Sequence, residues 1–166
     1  MPSKRKLVIG LAVVASILVV VVVTLALIPQ ETHPAFTAAV AFVEAIRKQE
    51  DTAAFALLSD DMQAYVTANC PDASVSACIA AYTPPEWGDM LSAVFRRAAP
   101  DGVNWDVDII ATYAEDKGFS GVCIYQRMEQ DAAGDWKVFA WAGYVSCGDG
   151  ASRNMAHNPD APNRVP

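Results

Sequence analysis

The sequence predicts an α+β fold behind an N-terminal transmembrane helix, with further helices packed on a curved antiparallel β-meander. Three observations predict it. A long uncharged stretch opens the chain, apolar residues then recur at helical spacing to about residue 97, and from Val103 the period changes to two.

The opening stretch, Leu7 to Ile28, carries no charge. As a helix rising about 1.5 Å per residue it reaches roughly 33 Å, enough to cross a hydrocarbon core of about 30 Å. Its many valines would suit a strand, but strands are far shorter, and in lipid a helix satisfies its own backbone. Lys4, Arg5 and Lys6 precede it and no basic residue follows until Arg47. The positive-inside rule then holds the N-terminus in the cytoplasm and sends the rest out. A cleaved signal peptide would have a shorter apolar region ending in a small-x-small site. Here the segment ends in "LALIPQE", with bulky Leu25, Leu27 and Ile28, which favours an uncleaved single-pass anchor in the cell membrane. The predicted organisation is a basic stub (1–6), the anchor (7–28), a linker (29–34), an extracytoplasmic domain (35–148) and a polar, Pro-rich tail (149–166) expected to be disordered.

Three of the 12 basic residues and none of the 19 acidic ones precede the end of the anchor, so the remainder carries a net charge of about −10. That balance speaks against nucleic acid or anionic lipid as a partner of the outer domain.

Outside the membrane, disulfides persist. Cys70 and Cys78 frame the short polar stretch "NCPDASVSAC". Zinc sites use tighter knuckles or histidine partners, and thioredoxin-like redox pairs need C-x-x-C, so this pair reads as a local staple. Its small loop would contribute roughly 2.5 kcal/mol in the chain-entropy account. Cys123 and Cys147 leave alternatives open: a second bridge, a free core thiol at Cys123, or a reach from Cys147 to the helices. No metal or cofactor is expected.

After the anchor, Phe36, Val40, Val43 and Ile46 share one face of a helix from Pro34 to Lys48. "QEDTAAF" breaks it, with Asp51 a candidate N-cap. A second helical region carries Phe55, Leu58, Met62, Tyr65 and Val66, interrupted at "SDD". "TPPE" reads as another helix start, Thr83 capping and Glu86 closing a capping box, with Trp87, Leu91, Val94 and Phe95 as its apolar stripe and Arg96 and Arg97 in its last turn.

In "VNWDVDIIATYAE" the odd positions Val103, Trp105, Val107, Ile109, Ala111 and Tyr113 form the buried face, while Asp106 and Asp108 face solvent. A three-residue hairpin loop at "EDKGF" would place Glu115 opposite Phe119 and turn Cys123, Tyr125 and Arg127 to that same side. With Glu129 opposite Asp135 beyond "QDAAGD", Phe139, Trp141 and Val145 join them. On a straight ladder Cys123 faces Trp141, leaving Cys147 about 20 Å away at 3.3 Å per residue, and a bulge at "AGY" would shorten the gap only in part.

The segments "HPAFTAAVAFVEAIRKQEDTAAFALLSDDM" and "IYQRMEQDAAGDWKVFAW" resemble the opening helices and closing hairpin of the nuclear-transport-factor-2-like (SnoaL-like) superfamily of cone-shaped, cystatin-like α+β domains, especially bacterial versions tethered by one N-terminal helix. The resemblance covers about Pro34 to Cys147. It implies a helix-covered curved sheet with a conical pocket, but no single activity, because the fold hosts enzymes, ligand binders and assembly modules.

The pocket candidates are Trp87, Trp105, Tyr113, Tyr125, Arg127 and Trp141. Family enzymes usually hold an acid or base inside the cone, whereas His33 falls in the linker and His157 in the tail. No catalytic residue is assigned. The sequence therefore favours a non-catalytic, membrane-anchored domain that binds a small apolar ligand or a protein partner. The alternative is a cone-family hydrolase or isomerase using Tyr113, Tyr125, Arg127 and a helix carboxylate such as Asp89.

Overall fold

The computed structural model describes residues 14–19, 32–81, 83–115 and 121–147, the last stretch without the side chains of 142–146. Residues 14–19, within the expected anchor, are helical. Among the described residues no helix is long and apolar enough to cross a membrane, and the rest of the Leu7–Ile28 stretch lies outside them, as does the expected tail. Contacts divide the chain between Thr32 and His33, and the unit beginning at His33 carries the fold.

Among the described residues of that unit, four α-helices come first: α1 (Pro34–Arg47), α2 (Asp51–Ala56), α3 (Asp60–Asn69) and α4 (Val75–Ala80). Four strands follow: β1 (Met90–Asp101), β2 (Asn104–Tyr113), β3 (Val122–Gln130) and β4 (Trp136–Ser146), as one antiparallel sheet in the order β1-β2-β3-β4. This is the expected meander under helices. α1 lies across all four strands and buries Ala35, Ala39, Phe42, Val43, Ala45 and Ile46 against them. The small residues at 35, 39 and 45 let its backbone approach the sheet, while Phe42 fills the centre.

The α2 and α3 region is tied to the free edge of β4. Ser59 N donates to Val138 O at 3.0 Å and Val138 N to Leu57 O at 2.8 Å. Ser59 also caps α3, its hydroxyl accepting from Met62 N at 3.4 Å. Asp51 is not the cap of α2. It lies inside the first turn, and its carboxylate serves the start of α4 instead, accepting from Ser74 Oγ and from Ser76 N. The Cys70–Cys78 staple is present, with Cα atoms 4.9 Å apart, joining the end of α3 to α4.

The segment read as a third long helix is strand β1, preceded only by a single 3₁₀ turn at Pro85–Trp87. The sequence misleads here for a physical reason. β1 is an edge strand, so neither face is uniformly buried. Its pairing also slips between Met90 and Ser92 and between Phe95 and Arg97, and these bulges break the period of two. Leu91, Val94 and Phe95 thereby mimic helical spacing. The stretch "PDG" turns a hairpin, with Asp101 paired to Asn104 and Gly102 at φ 62°, as the first central residue of a two-residue hairpin turn requires, so Val103, expected on the buried face, lies in the turn and is 88% exposed.

The register of β2 on β3 differs from expectation by one residue. Ala111 pairs with Val122, Ile109 with Ile124 and Trp105 with Met128. A one-residue slip exchanges the two faces of a strand. Val122, Ile124, Gln126 and Met128 therefore face α1, and Cys123, Tyr125 and Arg127 point to the other side. The alternation in "VCIYQRM" carries this signal, since Ile124 and Met128 stay in phase with Val122, but the assumed three-residue turn overrode it. The loop itself, 116–120, lies outside the described residues.

β3 and β4 are joined across Gln130 and Trp136, and their register shifts twice, between Arg127 and Met128 and between Cys123 and Ile124. These shifts bring Cys147 up to Cys123, and a second disulfide closes with Cα atoms 5.0 Å apart. A straight ladder had put these cysteines far apart, and both the turn position and the bulges close the gap.

Candidate functional site

The six pocket candidates do not converge on one cavity. Trp141 is a core residue, 0% exposed, with its ring 5.7 Å from that of Phe42 on α1. Beside it, Gln126 is buried and donates from Nε2 to Ala39 O at 3.2 Å, so a polar side chain ties α1 to the middle of the sheet. Trp87, on the 3₁₀ turn, meets Tyr113 edge to face at 5.2 Å. Burial pushes the Tyr113 phenol up to about 12, so it stays neutral well above physiological pH.

Tyr125 and Arg127 belong to the outer face of the sheet, away from α1. Arg127 was expected inside; instead its guanidinium pairs with Asp101 and with Asp106 at 3.1 Å and lies 5.1 Å over the Phe139 ring. Phe139, also expected on the buried face, is thus on Arg127's side. Burial raises the Asp106 carboxyl, and Arg127 pulls it back only in part. Asp108, expected to face solvent freely, is 7% exposed and pairs with Arg97. The hydrogen bond to Asp108 holds the Arg97 guanidinium charged beyond its ordinary range. An acid within reach of Arg127 therefore exists, but it lies on the face away from the helices and is engaged in an ion pair.

Trp105 leads to a feature that sequence reasoning missed. At one end of the fold, five rings meet: His33, Phe36, Phe95, Trp105 and Trp136. The His33 ring is 5.0 Å from Phe36, 5.0 Å from Trp105 and 5.3 Å from Trp136. Phe36 stacks on Phe95 at 4.9 Å and meets Trp105 edge-on at 5.2 Å. Four of the five are half-buried, and Phe95 is 40% exposed. His33 is no linker residue. It caps α1, its Nδ1 accepting from Ala35 N at 3.2 Å, and that role draws its ring into the cluster. The available signal was the "HP" pair at a helix start, a cap followed by proline at the first helical position.

Chemically this end offers ring faces and edges to an apolar or aromatic group. Among the described residues no group of three or more His, Cys, Asp or Glu stands together to hold a metal ion. Comparison with protein-family models, with curated proteins and with solved structures finds no match for this chain.

Proposed function

We propose that this chain is an extracytoplasmic domain of the cone-shaped nuclear-transport-factor-2-like type, tethered to the membrane by Leu7–Ile28, that binds an apolar group of a partner without catalysing a reaction. The observation that carries the reading is the half-exposed cluster of His33, Phe36, Phe95, Trp105 and Trp136. Aromatic side chains exposed together are typical anchors of recognition surfaces. Under α1 the space a conical ligand pocket would occupy holds Phe42, Trp141, Ile109 and Met128, each 0% exposed, which supports recognition at the surface over enclosure of a ligand.

Two features support export. All four cysteines are paired, as an oxidising compartment favours. The basic stub before Leu7 also matches a cytoplasmic N-terminus.

The test is photo-crosslinking in intact membranes of the cells that make the protein. A benzoylphenylalanine at Phe95 should give a discrete adduct, whereas the same group at Thr52, exposed on α2, should not. Equal labelling at both positions, or none at Phe95, contradicts the binding role.

A further inference from the structure

We propose that Cys123–Cys147 is a thiol-exchange site on the outer face of the sheet, in which Cys147 receives the attacking thiolate and Arg96 stabilises Cys123 as the leaving thiolate. The inference stands apart from the aromatic cluster and its binding role.

The two disulfides differ in the two properties that govern exchange. In the first, both sulfurs belong to buried residues, Cys70 at 8% exposure and Cys78 at 3%. In the second, Cys123 is wholly buried while Cys147 is only partly so, which makes Cys147 the more accessible of the two residues. Cys147 follows directly on β4, its backbone N–H held by Gly121 O at 2.9 Å. The hold fixes its backbone beside the start of β3, within reach of Cys123 for reclosure.

The second property is charge. Arg96 is the extra residue of the β1 bulge between Phe95 and Arg97, and its guanidinium Nη1 lies 3.4 Å from Cys123 Sγ. Arg97, its neighbour, is committed to Asp108. A neutral disulfide sulfur gains little from a guanidinium. A thiolate at the same place, buried beside the exposed guanidinium, gains a charge-assisted hydrogen bond. The arrangement therefore favours the state in which Cys123 has just been released.

The step balances with a thiol as co-reactant, either a small-molecule thiol or a protein dithiol. Its thiolate attacks Cys147 Sγ. The new sulfur–sulfur bond forms to Cys147, the Cys123–Cys147 bond breaks, and the electron pair leaves on Cys123 Sγ facing Arg96. A second thiolate then attacks the sulfur of the first thiol in the mixed disulfide. This releases the oxidised thiol as its disulfide and leaves Cys147 reduced.

The experiment uses the full chain, purified oxidised in detergent and equilibrated with graded ratios of reduced to oxidised glutathione. After acid quenching and alkylation, peptide mapping reads each cysteine. Cys123–Cys147 should open at a lower ratio than Cys70–Cys78, and trapped glutathione should sit on Cys147. Arg96→Gln should move the opening of Cys123–Cys147 to a ratio about tenfold higher and leave Cys70–Cys78 unmoved, while Arg96→Lys should recover part of the shift. Earlier or simultaneous opening of Cys70–Cys78, glutathione on Cys123, or an unchanged ratio in Arg96→Gln overturns the proposal. The trapping position is read in the unsubstituted chain and needs no variant to fold.

Discussion

The carboxylate of Asp51, in the first turn of α2, accepts the backbone N–H of Ser76 at 2.9 Å across a separation of 25 residues. It also accepts from the Ser74 hydroxyl, so one side chain fastens α2 to the start of α4 beside the Cys70–Cys78 staple. Burial pushes this carboxyl up, but the bonds from Ser74 and Ser76 outweigh it and hold it below the ordinary range. A depressed carboxylate contributes stability that is present above its unfolded value and lost as pH falls through its folded value. Asp51→Ala should therefore cost about 1 kcal/mol near neutral pH, a figure kept small because the site is partly open to water. In urea titrations at several pH values the deficit should shrink towards zero in acid. A deficit that persists below the folded value would show that packing, not the charge, is what Asp51 contributes.

Arg127 faces a carboxyl shifted the other way, Asp106, yet the deficit left by its removal follows pH in the same direction. Asp106 is raised by burial, so its ionisation opposes folding at neutral pH, and Arg127 offsets that cost. Removing the guanidinium in Arg127→Leu should destabilise by about 1 kcal/mol, discounted for the exposure of the pair. A raised carboxyl regains its stabilising balance below its unfolded value, so the deficit should fall with decreasing pH. Adding Asp106→Asn should recover much of it at neutral pH. No recovery in the double variant would point to lost contact with Phe139 as the main cause.

Gly121 is fixed by geometry. Its φ is 76°, and a Cβ there would stand 2.8 Å from Ile110 Cγ2 and 2.9 Å from Ala111 O. The second contact is backbone and cannot step aside. Gly121→Ala should cost about 2 kcal/mol or more, and it should slow oxidation of Cys123 with Cys147, whose backbone N–H binds Gly121 O. Near-normal stability by chemical denaturation would mean that this strand entry adapts.

The two tryptophans on the α1 side should separate cleanly. Trp141→Ala removes a wholly buried ring and should cost about 3–5 kcal/mol. Trp105→Ala, in the half-exposed cluster, should cost clearly less and reduce crosslinking from Phe95. The reverse order of stabilities would return Trp141 to a pocket and contradict the packing described.

The α+β class, the meander and the Cys70–Cys78 staple were legible because each rests on a local pattern: helical spacing before residue 70, alternation after Val103, and a short cysteine loop. What escaped was non-local. The parity of β3 depends on a turn whose length the residues do not announce, so Arg127 and Tyr125 were assigned to the wrong face. The Cys123–Cys147 bridge depends on two bulges in the β3–β4 pairing. The aromatic cluster joins a cap residue, a first helical turn and three strands, and no window of sequence holds them together. β1 was hidden because an edge strand with two bulges loses its alternation.

The proposed extracytoplasmic location is the point most directly open to measurement. Protease added to intact cells or spheroplasts should digest the chain after Ile28, removing the domain that begins at His33, while a tag fused before Met1 stays protected until the membrane is opened. A protected domain with a digested N-terminal tag would contradict the orientation, and with it the oxidising surroundings and the external binding role.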